Sequence, residues 1–203
     1  MGNLVGSLEV PHILHARRKL VLRLSYRQRD ILIGCILGDA YIAPLGKIRI
    51  EHSTKQREYI DWKYCELSTI SYAAKPREIV HVLNGTKEYF SVFFLLRQYF
   101  RVWRAIFYQG NTKVFPKDLR LSPLSLAVWY MDDGCWTGKK CVISSESFRG
   151  KNQRHMQAVL WEQHGIDTVI GKNNKLVIRK RSHAAFYALV APHVISSMEY
   201  KLP

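Results

Sequence analysis

Two apolar runs of the same shape organise this chain. Residues 32–40 read Leu-Ile-Gly-Cys-Ile-Leu-Gly-Asp-Ala, and residues 126–134 read Leu-Ala-Val-Trp-Tyr-Met-Asp-Asp-Gly. Each looks like a buried helix that closes on a small or acidic residue, then Asp, then a small residue. After the first run, the strict alternation of Lys47-Ile-Arg-Ile-Glu51 predicts a half-buried strand. Residues 56–71 predict a helix, with Tyr59, Trp62 or Lys63, and Leu67 on related turns. Residues 77–83 and 87–94 flank Asn84-Gly85, a strong hairpin signal, and 93–108 reads as an aromatic-rich helix. After the second run come a strand over 140–145 and a helix over 152–164, closed by Gly165. A turn at 171–174 leads into a strand over 175–179 and a helix over 182–190, with one more strand faintly written near 167–170.

The pattern is helix, strand, helix, two strands, helix, and it occurs twice. An internal repeat of this length decides the architecture before any single residue does. Spacing agrees with it: Lys113, in Lys113-Val-Phe-Pro116, lies 74 residues beyond Asp39, and Lys201, in Lys201-Leu-Pro203, lies 68 beyond Asp133. The expected organisation is an α+β chain with a basic N-terminal arm over 1–27, a first half with linker over 28–118, and a second half over 119–203.

Composition narrows the partner. Of the 203 residues, 47% are hydrophobic and 12% aromatic, enough for a real core, while 31 Lys and Arg against 16 Asp and Glu leave a charge of +15. Such an excess points first to a polyanion, most often nucleic acid, although a merely basic protein would carry it too. Cys35, Cys65, Cys135 and Cys141 show no zinc spacing and are expected to be reduced thiols. No apolar run reaches membrane length. Arg17, Arg18, Lys19, Arg23, Arg27 and Arg29 precede the first acid of that stretch, Asp30; they suit a nucleic-acid-contacting arm, an organelle transit segment or a solvated lead-in. The expected location is the cytoplasm of a prokaryote or an organelle matrix, without secretion.

The chemistry sits at the two Asp. One carboxylate at the end of an apolar helix is as readily a helix-end group bonded to local backbone. Two at matching places, on helices that pack through small residues, are brought close and repel. They call for a cation, and an all-oxygen site suits Mg2+. Metal-activated water is one route to phosphodiester cleavage. Register separates Asp133 from its neighbour: aligning the closing small residues sets Asp133 opposite Asp39 and Asp132 opposite Gly38, so Asp132 and Gly38 share at most a backbone carbonyl at the metal.

Leu32–Ala40 and Leu126–Gly134 resemble the two signature motifs of the LAGLIDADG homing endonucleases. Leu121-Ser-Pro-Leu-Ser-Leu126 before the second motif is similar to the single-chain, two-motif branch, and the likeness extends over about residues 28–203. Ala40 in place of the first closing glycine, and Cys35 and Cys135 near the expected helix pairing, depart from the pattern. The resemblance implies two pseudo-symmetric αββαββα halves with paired central helices and saddle-shaped antiparallel sheets set along the DNA major groove. It also implies Asp39 and Asp133 as metal-binding acids, and Lys113 and Lys201 as basic residues around each active site. Mg2+ is the implied cofactor, with Mn2+ as a substitute and Ca2+ bound without cleavage.

Strand alternation then names the residues facing that DNA. Lys47, Arg49 and Glu51 lie opposite Ile48 and Ile50; Lys140, Val142 and Ser144 lie opposite Cys141 and Ile143; Lys175, Val177, Arg179 and Arg181 lie opposite Leu176 and Ile178. Lys87, Tyr89 and Ser91 form a further set, blurred by Phe90, Val92 and Phe93. Any of these is equally at home on a plain solvated strand. The expected activity is a double-strand break in a long DNA target by a monomer. An intron RNA maturase, or a non-cleaving DNA binder of the same fold, is the alternative, and a basic RNA-binding protein would leave the paired motifs unexplained. An intact intein is not expected, because the sequence begins with Met and ends without Asn.

Overall fold

The computed structural model describes residues 10–15, 21–84, 87–148 and 150–203, with Lys87 described by its backbone alone. A hairpin of β1 (Ile13–His15) and β2 (Val21–Arg23) leads into helix α1 (Tyr26–Leu37). Ser25 starts that helix with a capping box: its hydroxyl accepts from the Gln28 amide at 3.0 Å, and the Gln28 side chain accepts from the Ser25 amide at 3.2 Å. The first half continues through β3 (Tyr41–Ile42), β4 (Ile48–Ser53), α2 (Arg57–Glu66), β5 (Arg77–Leu83), β6 (Lys87–Leu96) and α3 (Arg101–Phe107). A small hairpin, β7 (Tyr108–Gln109) and β8 (Thr112–Lys113), closes it. The second half contains α4 (Pro123–Asp133), β9 (Gly134–Trp136), β10 (Cys141–Ile143), α5 (Lys151–His164), β11 (Thr168–Ile170), β12 (Leu176–Ile178) and α6 (His183–Val190). Ser122 caps α4, and Pro123 occupies a first-turn position where its missing N–H costs nothing.

The two four-stranded sheets have the same topology. One runs β3-β4-β6-β5 and the other β9-β10-β12-β11, antiparallel throughout. Helices α1 and α4 pack along each other between them, with Ile31–Leu37 and Leu124–Met131 buried. Burial this complete leaves a helix no polar face, which is why both runs read as apolar all round. Gly34 makes the close approach possible: a β-carbon there would lie 2.6 Å from the Ser125 carbonyl oxygen and from Val128 Cβ.

Several elements differ from their sequence reading. The aromatic stretch from Phe93 is strand to Leu96, because Val92, Phe94 and Leu96 are buried while Phe93 and Leu95 are half-buried, a period of two. Only Arg101–Phe107 is helix. The helix expected over 56–71 ends at Glu66 and gives way to a 3-10 turn, Ser68–Ile70. β3 and β9, directly after the two motifs, were too short to show a period. β11 is the strand faintly written near 167–170. Cys135 is exposed on β9 and takes no part in the helix pairing, whereas Cys35 is buried in α1; all four thiols are free. In the N-terminal stretch, Val10, Leu14 and Leu24 are buried and the Trp103 indole donates to the Pro11 carbonyl at 2.8 Å, so its described part joins the core. Arg27 pairs with Glu66 at 2.5 Å and Arg29 lies beside Asp30, while Arg17, Arg18 and Lys19 lie outside the described residues. Among the described residues, no helix is long and apolar enough to cross a membrane.

Candidate functional site

Helix α1 is capped at Gly38, so Asp39 is the first residue beyond it; α4 ends on Asp133 itself. Packing the helices side by side brings these two ends together. Both carboxyls feel it. Burial pushes Asp133 up to about 7, and the charges of Asp39 and Asp132 add to that. Burial also pushes Asp39 up to about 6, with Asp132 adding and Lys63, Lys201 and Lys113 pulling the other way. Helix C-termini carry unpaired carbonyls and partial negative charge, which is unfavourable for acids. Each end has a lysine for this. Lys113 Nζ donates to the carbonyls of Gly38 at 2.7 Å and Ala40 at 3.1 Å. Lys201 Nζ donates to those of Met131 at 2.5 Å and Asp132 at 2.9 Å. Burial lowers both ammonium groups, and the surrounding carboxylates oppose the shift. The equivalence of the Gly38 and Asp132 carbonyls under these lysines places Asp39 and Asp133 in the same register.

Asp132 turns the other way. Its side chain is fully buried and crosses to the first half, where Lys63 Nζ stands at 2.6 Å and the Tyr59 hydroxyl donates at 2.7 Å. The Asp39 amide donates to its second oxygen at 3.3 Å. Gly38 is the reason it fits, since a β-carbon there would lie 2.5 Å from Asp132 Cβ and Oδ2. Burial raises the Asp132 carboxyl, but the Lys63 charge and the hydrogen bonds from Lys63 and Tyr59 hold it below the usual carboxylate range.

His52 completes the cluster. An ammonium has only protons to give, so the ring nitrogen 2.8 Å from Lys63 Nζ, Nε2, is the acceptor. The ring proton therefore sits on Nδ1, 3.4 Å from Asp39 Oδ2. Burial, then the Lys63 charge, pushes His52 down to about 3, so the ring is neutral. Asp39, His52 and Asp132 bring potential metal-ligating atoms within 4.8 Å of one another. Two of the trio, His52 and Asp132, already face a cation, Lys63, and with its proton on Nδ1 His52 presents no free lone pair toward Asp39. His52, Tyr59 and Lys63 were not picked out as site residues from the sequence. Lys63 shared one helix position with Trp62, and the structure buries Lys63.

Residues 29–186 match the sequence model of the LAGLIDADG DNA endonuclease family. The chain belongs to this family. The DNA endonuclease I-ChuI of Chlamydomonas applanata is 26% identical over 210 residues, 89% of this chain and 96% of that protein. Protein RecA of Mycobacterium shimoidei is 28% identical over 205 residues, 88% of this chain and 47% of that protein. The chain thus spans about half the length of the RecA relatives it matches. Cytochrome b mRNA maturase bI2 of Saccharomyces cerevisiae is 37% identical over 102 residues, 46% of this chain and 24% of that protein. The homing endonuclease I-WcaI, solved with its DNA recognition sequence, shares the fold at a TM-score of 0.80 and 24% identity, over 89% of this chain and 87% of that one.

On the sheet faces of this LAGLIDADG chain, Arg49 and Glu51 lie opposite the core, with Arg49 Nε on Glu51 Oε2 at 2.6 Å. Lys47 stands 5.8 Å from the Tyr72 ring, and Tyr89 stacks on His81 at 4.5 Å. Ser91 is buried and donates to Glu51. The Lys87 side chain lies outside the described residues. In the second sheet Lys140 is exposed, Val142 and Ser144 are half-buried, and Lys175 pairs with Glu146 at 3.3 Å. Arg179 pairs with Asp167 at 3.2 Å. Arg181 departs from its expected place: β12 ends at Ile178, so strand alternation does not reach it. It sits in the 3-10 turn Lys180–Ser182, on Asp167.

Proposed function

We propose that this chain is a site-specific homing endonuclease that makes double-strand breaks in a long DNA target by Mg2+-dependent phosphodiester hydrolysis, acting as a monomer. The observation that carries this reading is the pairing of Asp39 and Asp133. Two carboxyls raised by burial at adjoining helix ends, with main-chain carbonyls beside them, form an oxygen-donor site. Such a donor set fits a hard divalent cation. Asp39 and Asp133 would hold it, with the Gly38 and Asp132 carbonyls as further oxygens, Mn2+ as a substitute and Ca2+ binding without cleavage. Bound there, the ion supplies Lewis-acid activation of water and neutralises the phosphate. Lys113 and Lys201 fix the helix ends and keep two positive charges beside the carboxylates, where a phosphate would enter. The exposed strand face, basic at Lys47, Arg49, Lys140, Lys175 and Arg179, receives the duplex.

A second reading, action on intron RNA, is favoured by the 37% identity to the bI2 maturase over nearly half of this chain. The deciding experiment selects a cut site from a randomised DNA library, then follows nicking of each strand in Mg2+, Ca2+ and chelator. Asp39→Asn and Asp133→Asn each lose about a hundredfold or more in rate, in line with the several kcal/mol a metal site contributes. Binding to the target persists in both. Full-rate cleavage by both variants would falsify the nuclease mechanism.

A further inference from the structure

On a face that meets a polyanion, the charge of Arg49 is already matched. It lies on β4 opposite Ile48 and Ile50, with Nε 2.6 Å from Glu51 Oε2. Its guanidinium carbon stands 3.9 Å over the Phe93 ring, which Arg77 approaches from 5.6 Å. Glu51 is itself fixed. Its other oxygen takes His81 Nε2 at 2.5 Å and the Ser91 hydroxyl, and His81 is stacked on Tyr89 at 4.5 Å with planes 10° apart. Burial raises the Glu51 carboxyl, but Ser91, Arg49 and His81 outweigh it and keep it ionised.

This arrangement leaves little for a phosphate and a great deal for a base. A phosphate contact wants an uncompensated cation, and Glu51 supplies both a counter-charge and a repulsion. Glu51 already accepts from Arg49, His81 and Ser91, which leaves it at most one lone pair for a cytosine amino group. What remains is the far edge of Arg49: among the described residues its two terminal nitrogens have no hydrogen-bond partner. They form a fork whose orientation is set by the carboxylate on Nε and the aromatic face beneath. A pre-oriented fork of two donors matches guanine O6 and N7. Ordering it in advance also removes the rotamer entropy a free arginine loses on binding.

We propose that Arg49 is a dedicated guanine reader, buttressed by Glu51 and Phe93. The proposal rests on the endonuclease reading above and adds a piece of its target. The two sheets offer an internal contrast. β3 pairs Tyr41 with Arg49, and β9 pairs Cys135 with Val142, so Val142 occupies the place of Arg49 and Ser144 that of Glu51. The register-matched position of the other sheet holds no arginine, and the matching position in the other half of the target carries no such guanine requirement.

The test is selection of bound duplexes from a randomised DNA library without Mg2+, comparing the unaltered chain with Glu51→Gln and Arg49→Lys. The unaltered chain selects one guanine on the first-half side, and both variants lose that preference by about ten- to hundredfold, the worth of one bidentate pair. Arg49→Lys keeps the charge and loses the fork; Glu51→Gln keeps the arginine and loses its buttress. An unchanged base profile in Glu51→Gln overturns the proposal, as does a uniform loss across all positions in Arg49→Lys. If the unaltered chain enriches a site and only this guanine is missing, the reader alone falls. If it enriches nothing, the endonuclease reading falls and takes the reader with it.

Discussion

The two candidate acids have matching tops and different floors. Above, Asp39 and Asp133 sit at the ends of the two central helices, and Lys113 and Lys201 each hold main-chain carbonyls there. Below Asp39 lies a buried charged cluster, Asp132 with Lys63, Tyr59 and His52. The corresponding floor in the second half is neutral. Register places Ser145 where the first half has His52, and its hydroxyl donates to the Asn174 carbonyl at 2.7 Å, beside Gln153 Nε2 at 2.6 Å. Met156 is buried as well. One position starts the divergence: Gly38 in α1 leaves a hole that its counterpart, Asp132 in α4, fills. What a repeat conserves in itself is the geometry at the helix ends. The packing beneath is free to be ionic on one side and neutral on the other.

The strongest way to break this comparison is to remove the buried cation. Lys63→Met leaves Asp132 enclosed without a partner charge, which costs about 3–5 kcal/mol. Chemical denaturation should show that loss, and the double variant Lys63→Met/Asp132→Asn should recover most of it, because no unpaired charge then remains. A cost below about 1 kcal/mol would mean the pair is solvated and the floors do not differ in kind. Gln153→Met on the neutral side is expected to cost clearly less.

Much of this was legible beforehand. Asp39 and Asp133 stood out because apolar runs ending in acid are expensive and occurred twice. Lys113 and Lys201 stood out because their spacing repeated. Alternation placed Arg49 and Glu51 opposite the buried Ile48 and Ile50, as a strand's period of two requires. Alternation misled where the strand had already ended, as at Arg181. Lys63 was illegible for a different reason. A lysine on a helix reads as solvent-facing unless its counter-charge is known, and that charge arrives from Asp132, 69 residues away.

A smaller effect is expected at the hole itself. Gly38→Ala sets a β-carbon 2.5 Å from Asp132 Cβ and Oδ2, in a helix pair with no slack. The helices must shift or Asp132 must leave Lys63, and overpacking of this kind costs about 1–3 kcal/mol. Loss of stability with cleavage of both strands slowed together points to the helix pair as one unit. If Gly38→Ala is as stable as the unaltered chain, Asp132 has room to spare and Gly38 does not explain the asymmetry.

The smallest expected effect belongs to the second floor, and it sharpens the contrast most. Ser145 is buried and its hydroxyl has one clear acceptor, the Asn174 carbonyl. In Ser145→Ala that carbonyl keeps Gln153 as donor, so no polar group is stranded. The loss is then one neutral hydrogen bond, about 1 kcal/mol. It is spread through a turn whose register is already set by β11 and β12. Removing one group from the ionic floor strands a charge; removing one from the neutral floor strands nothing. Denaturation of Ser145→Ala beside Lys63→Met measures that difference directly. A Ser145→Ala cost equal to that of Lys63→Met would show that the neutral floor is as tightly coupled as the ionic one.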